Sequence, residues 1–146
     1  MIDQGAQALV KAARGAAKHA HAPYSKFAVG AAVLLDDGTV VTGANFENAS
    51  YGLSLCAETV ALGTVNAQGK LRNVVAIAVI GGRMGLADTA PISPCGRCRQ
   101  IINEAAQLAQ RDLPVFCAGA AGDEIAAHML SELLPAAFGP ADLGIS

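Results

Sequence analysis

The chain has 146 residues, of which 53% are hydrophobic and only 15% charged, and its formal net charge is −2. That length suits a single domain over residues 1–146 with room for a real core. The slightly negative charge leaves no electrostatic footprint for a phosphate backbone, which argues against a nucleic-acid partner, and no apolar run approaches the roughly 20 residues that span a bilayer.

Taken in chain order, Asp3 to His19 is rich in Ala, Lys, Arg and Gln, with Leu9, Val10 and Ala13 on one side. It predicts a first helix that ends at the turn around Pro23. Asp3, Lys11, Arg14 and Lys18 break up any signal-peptide core, and the three basic residues share a flank read as a solvated face. Phe27–Leu35 and Thr39–Thr42 predict strands joined by the hairpin residues Asp36-Asp37-Gly38. A polar loop covers 43–52. Cys56 to Gln68 favours a helix, with Ser54 as N-cap and Gly69 as its stop. Val74–Ile80 is a continuous apolar run, the mark of a strand buried on both faces. After a glycine-bearing loop from Gly81 to Ile92, Ser93-Pro94 reads as N-cap and first helical residue of a helix reaching about Gln110. Pro114–Cys117 predicts a short strand, and His128–Leu134 a short helix stopped by Pro135. This order predicts a mixed sheet with helices on both faces.

The chemistry is concentrated in two clusters, Cys56-Ala57-Glu58 and Pro94-Cys95-Gly96-Arg97-Cys98. Each begins a predicted helix, where the partial positive charge of the N-terminus favours thiolate over thiol. Cys95 and Cys98, three residues apart, share one face of a helical turn. Three thiolates leave a tetrahedral zinc one position short, the feature that separates catalytic from structural zinc. A water at that position is acidic enough to act as a nucleophile near neutral pH, and Glu58 stands close by in sequence to move protons. Cysteine, glutamate and Pro-Cys-x-x-Cys in this arrangement form the general pattern of zinc-dependent nucleobase deaminases. The remaining sulfur, Cys117, reads as a buried thiol; His19, His21 and His128 lie outside both clusters and read as solvent or helix-end residues. Cysteines in this arrangement suit metal chemistry in a reducing compartment, so the expected location is cytoplasmic.

Around those clusters, three further stretches resemble the small homotetrameric cytidine deaminases: Pro23-Tyr24-Ser25-Lys26-Phe27-Ala28-Val29-Gly30-Ala31-Ala32, Asn45-Phe46-Glu47-Asn48-Ala49-Ser50-Tyr51-Gly52, and Leu133-Leu134-Pro135-Ala136-Ala137-Phe138-Gly139. The resemblance covers nearly the whole chain. It implies a three-layer α/β/α sandwich with a five-stranded mixed sheet and one zinc ion per subunit. It also implies zinc ligands Cys56, Cys95 and Cys98, with Glu58 as the catalytic proton carrier. Asn45 and Glu47 would hold the ribose hydroxyls, Phe27 would pack beside base and ribose, and Ala57 would bond the base through its main chain. Ala49, Tyr51 and Phe138 match positions that reach a neighbouring subunit's site, so the implied partners are a nucleoside and further copies of the chain. The implied reaction turns cytidine and 2′-deoxycytidine into the uridines with loss of ammonia, a step of pyrimidine salvage.

One residue departs from the family pattern. Many such enzymes carry arginine after the glutamate, set against the negative charge of three thiolates; here Thr59 stands there. Helix dipoles, backbone N–H groups, the Thr59 hydroxyl, Arg97 and Arg99 are the alternatives for that task. Three other functional readings stand beside the main one. A sister deaminase would act on modified or antibiotic aminopyrimidine nucleosides. A polynucleotide deaminase would need a basic, aromatic groove that this chain hardly offers. A binding module with structural zinc would need a fourth ligand, for which only Cys117 is available.

Overall fold

The computed structural model describes residues 3–146. Helix α1 spans Gln4–Ala17, and Asp3 caps it by accepting the Ala6 N–H at 2.8 Å. Ala6, Leu9, Val10 and Ala13 recur at helical spacing and are buried together. Strands β1 (Phe27–Leu35) and β2 (Val40–Ala44) form the hairpin, which turns at Gly38 with φ 87°. Helix α2 (Ala57–Ala67) leads to β3 (Val74–Arg83), and α3 (Gly96–Leu108) leads to β4 (Pro114–Gly119). The chain closes with β5 (Ile125–Met129), the short α4 (Leu130–Leu133) and a 3₁₀ turn at Pro140–Leu143.

The five strands lie in the order β2-β1-β3-β4-β5, with β3 and β4 parallel and the other pairs antiparallel. This is the expected five-stranded mixed sheet. Alternation along the strands divides the core in two. Ala31, Val33, Ile77, Val79, Val115 and Cys117 pack toward α2 and α3, whereas Ala32, Ala76, Ala78, Ile80, Phe116 and Ala118 pack toward α1. The face under α1 is mostly alanine, so the helix can lie very close to the sheet. At Gly30 an added Cβ would stand 1.9 Å from the Ala13 carbonyl oxygen. The alanine-rich composition is thus a packing device: small side chains set the spacing between layers.

Several boundaries depart from the sequence-based expectation. Residues 125–129 form a strand, so His128 is a sheet residue and only Leu130–Leu133 is helical. Alanine-rich Ile-Ala-Ala-His-Met has helical propensity, but pairing with β4 supplies backbone partners that override it. Strand β3 runs on to Arg83 through Gly81 and Gly82, because Phe27 and Ala28 of β1 pair with Arg83 and Gly82. Arg14 is not part of a solvated face: its guanidinium donates to the carbonyls of Gly119 (3.1 Å) and Gly122 (2.9 Å), tying α1 to the β4–β5 connection.

The contact at Gly30 gives a direct test. Gly30→Ala is expected to lower unfolding free energy by about 3 kcal/mol through overpacking. Gly15→Ala, at an open position of α1, is expected to raise it by up to about 1 kcal/mol. Chemical denaturation of both variants checks the pair.

Candidate metal centre and active site

Helices α2 and α3 both start on a cysteine. Cys56 and Cys95 are the N-cap residues, with extended backbones (φ −72°, ψ 154° and φ −66°, ψ 168°), and neither side chain makes a capping bond. The expected caps sit elsewhere. The Ser54 hydroxyl accepts from the Asn48 N–H at 3.1 Å and so holds the preceding loop. Ser93 and Pro94 precede the α3 cap and lie outside the helix. Leaving the cap position to cysteine keeps both sulfurs free while the helix N–H groups still bias them toward thiolate. Gly43 seats α2 against β2, where an added Cβ would meet Ala57 O and Ala61 N at 2.6 Å.

The two helix starts bring the sulfurs of Cys56, Cys95 and Cys98 within 4.8 Å of one another, and Cys95 and Cys98 are 3.5 Å apart. Among the described residues this is the one such cluster of His, Cys, Asp or Glu donors. Its donor chemistry fits zinc: three soft sulfur ligands, with Cys98 buried, Cys56 half-buried and Cys95 exposed, and one side left for a non-protein ligand. Cys117 is buried in β4 and does not belong to the cluster. Hydrogen bonding from the Cys98 thiol draws the Cys56 pKa down to about 6, with help from the charge of Arg97. Cys98, as the donor, is pushed the other way. Burial raises Cys117 to about 11.

Glu58 lies in the first turn of α2 and is only 3% exposed. Burial pushes its pKa up, opposed by its own backbone N–H and by Cys98. A buried carboxyl with a raised pKa beside three sulfurs is suited to take up a proton and return it. Sulfurs and carboxyl open into a cavity of about 340 Å³ that Asn45, Glu47, Tyr51, Ala57 and Arg97 also line, a volume that suits a small molecule. A larger hollow, about 600 Å³, lies beside the C-terminal end of α3 but contains none of the sulfurs. Chemistry, not size, locates the site.

The polar end of the cavity is rigidly built. The Asn45 amide accepts from Val29 N–H and donates to Phe27 C=O, both at 2.9 Å, which fixes its orientation and leaves one N–H free. Glu47 accepts from the N–H groups of Tyr24 (3.0 Å) and Ser25 (3.1 Å) and from the Ser25 hydroxyl. Those bonds, the hydroxyl's foremost, hold Glu47 below the usual carboxylate range. Phe27 does not line this cavity; it lies in a neighbouring hollow with Gly81 and Asp88, and Ile92 lines both. Ala49 is exposed, and neither it nor Phe138, 62% exposed, lines this chain's own cavity.

The alternatives for balancing three thiolates separate clearly. Arg97 faces the cavity. Arg99 instead donates to Pro94 O (2.8 Å) and Leu133 O (2.9 Å). The Thr59 hydroxyl, buried and without a hydrogen-bond partner, lines a separate groove between α2 and α3. The sequence does not single out the Ser25 grip on Glu47, because a serine in a Pro-Tyr-Ser-Lys turn carries no sign of its distant partner.

The family described as the cytidine and deoxycytidylate deaminase zinc-binding region matches residues 3–111. A cytidine deaminase of Halalkalibacterium halodurans is 48% identical over 138 residues, covering 94% of this chain and 96% of that one. One from Mycobacterium tuberculosis is 43% identical over 129 residues, covering 88% and 85%. The crystal structure of cytidine deaminase from Burkholderia pseudomallei superposes with a TM-score of 0.80 at 42% identity, over 94% of this chain and 100% of that one.

The sulfur cluster implies an ordered titration. In reduced, metal-free protein a first thiolate is expected to form around pH 6, from Cys56, and Cys117 only near pH 11. Metal binding has to displace thiol protons, so affinity should fall as pH is lowered and fall more steeply below about 6, where Cys56 is protonated too. The ultraviolet thiolate band checks this, since Cys56→Ala should remove the low-pH step.

Proposed function

The chain belongs to the zinc-binding cytidine and deoxycytidylate deaminase family, and on that premise we propose that it hydrolyses cytidine and 2′-deoxycytidine to the uridines with release of ammonia. The observation that carries the reading is one cavity lined by three convergent cysteines, a buried glutamate and a fixed Asn/Glu pair. The whole of residues 1–146 would work as one deaminase unit, in the cytoplasm, in pyrimidine salvage. Four free cysteines suit that reducing compartment.

Zinc held by Cys56, Cys95 and Cys98 supplies Lewis acidity that makes water a nucleophile at neutral pH. Glu58 does the proton work. Its carboxylate takes a proton from the attacking water and places it on N3 of the base, which makes C4 more electrophilic. Once the hydroxide oxygen has bonded to C4, Glu58 takes the proton of that new hydroxyl and passes it to the exocyclic nitrogen; the C4–N bond breaks, ammonia leaves and the C4 carbonyl forms. Ala57, beside Glu58 at the start of α2, offers main-chain groups to the base. The free Asn45 N–H and the Glu47 carboxylate form a donor and an acceptor side by side, as a sugar diol requires. Phe27 closes the adjoining hollow beside base and ribose. Arg97 offsets the charge of the three thiolates.

Assembly completes the site. Tyr51 (73% exposed) and Phe138 (62%) are large side chains with little cover in the isolated chain. In a homotetramer Phe138 and Ala49 would reach a neighbour's cavity, which accounts for an aromatic held away from its own. Tyr51, which lines its own chain's cavity, would stand where the two chains meet.

Glu58→Gln is expected to retain zinc, by metal analysis, while kcat for cytidine falls by about a thousandfold or more. An active Gln variant would sink the mechanism. Mixing inactive Glu58→Gln and Phe138→Ala tetramers under subunit exchange should restore part of the activity, because some sites then combine Glu58 with a neighbour's Phe138. No recovery after demonstrated exchange would place Phe138 outside the neighbouring site.

A further inference from the structure

The turn from Ala22 to Phe27 grips Glu47 with three donors. The N–H groups of Tyr24 and Ser25 reach Oε1 at 3.0 and 3.1 Å, and the Ser25 hydroxyl donates to Oε2 at 2.5 Å. The same Ser25 oxygen accepts the Phe27 N–H at 3.1 Å. One hydroxyl therefore links the carboxylate of Glu47 to the backbone of Phe27, whose carbonyl is bound in turn by Asn45. The turn is costly to form, since Lys26 adopts φ 60°, a left-handed conformation unfavourable for a side chain with a Cβ. It is braced by Lys26 N–H to Ala22 O at 3.0 Å and by Met84 N–H to Lys26 O at 2.8 Å. Backbone strain of this kind is kept where neighbouring structure over-determines it.

Counting acceptor sites sharpens the consequence. An ionised carboxylate offers about four lone-pair positions. Two on Oε1 are filled by backbone N–H groups, and one on Oε2 by Ser25. One position on Oε2 is left, and Ser25 decides where it points. We propose that Ser25 is a positioning residue for sugar recognition: its hydroxyl aims the last free acceptor of Glu47 and locks it in register with Phe27 and Asn45. This rests on the reading that Glu47 receives a sugar hydroxyl. Because Ser25 touches neither the sulfurs nor Glu58, its effect belongs to binding and not to the chemical step.

The test is steady-state kinetics on the zinc-loaded enzyme with cytidine. Ser25→Ala is expected to raise KM about fivefold or more, as for loss of a hydrogen bond to a charged group near solvent, with kcat within about twofold. Ser25→Thr, which keeps the hydroxyl, should restore KM. In a Glu47→Gln background Ser25→Ala should add little, since both act through one carboxylate. Unchanged KM in Ser25→Ala, with KM raised in Glu47→Gln, overturns the role of Ser25 and leaves the sugar reading intact. Unchanged KM in Glu47→Gln overturns the sugar reading itself. A fall in kcat and melting temperature that Thr does not rescue assigns Ser25 to folding and also overturns the proposal.

Discussion

Two helices that begin on cysteine, side by side at one edge of a core, dictate most of what this molecule can do. N-terminal N–H groups need a partner, and a serine or aspartate at the cap would satisfy them locally. Cys56 and Cys95 occupy the caps without making that bond, so the positive ends of α2 and α3 act on the sulfurs. That requires α2 and α3 to be held at a fixed separation. Gly43 sets α2 against β2 by near contact with its backbone. Ile102, Ala105 and Ala106 of α3 join Ala57, Ala61, Leu62 and Val65 of α2 in one core. The metal centre is the exposed end of that packing.

The electrostatics follow from position more than from residue type. Three cysteines of one kind behave differently: Cys56 gives up its proton most readily, Cys98 holds on as a donor, and Cys117, buried deeper in the sheet, is removed from the chemistry. Two glutamates diverge in the same way. Burial raises Glu58, whereas donors from one turn lower Glu47. One carboxyl can carry a proton while the other remains a fixed acceptor, a division of labour that burial and hydrogen bonding suffice to create.

Much of this is legible in the sequence, and the reason differs by element. Leu9, Val10 and Ala13 repeat at helical spacing, and the run Val74–Ile80 is too apolar to be anything but internal, so α1 and β3 follow from burial alone. The metal cluster was readable because thiolate chemistry resides in the residue type and its spacing. What escaped depends on partners distant in sequence. β5 exists because β4 needs an antiparallel neighbour, against the helical leaning of its alanines. Arg14 looked like a solvated residue because the carbonyls of Gly119 and Gly122 are about a hundred residues away. Serine is the better cap by statistics, yet Ser54 and Ser93 lie just outside helices whose start is set by tertiary packing. The left-handed turn at Lys26 has no composition signal, since lysine is a poor candidate for that conformation.

Phe138 owes its outward aim to α3. Gln100 and Asn103 both donate to the Phe138 carbonyl, at 2.7 and 3.3 Å, and Gly139 lets the loop pass close to Asn103 and Gln107, where an added Cβ would clash. The same helix carries Cys98 in its first turn and Cys95 at its cap. A helix behaves as a rod over so short a distance, so its metal-bearing end and the aromatic anchored along its side move as one lever. A shift of the cysteine-bearing end would carry the anchor of Phe138 with it, so the sulfur cluster and this exposed aromatic cannot be repositioned independently.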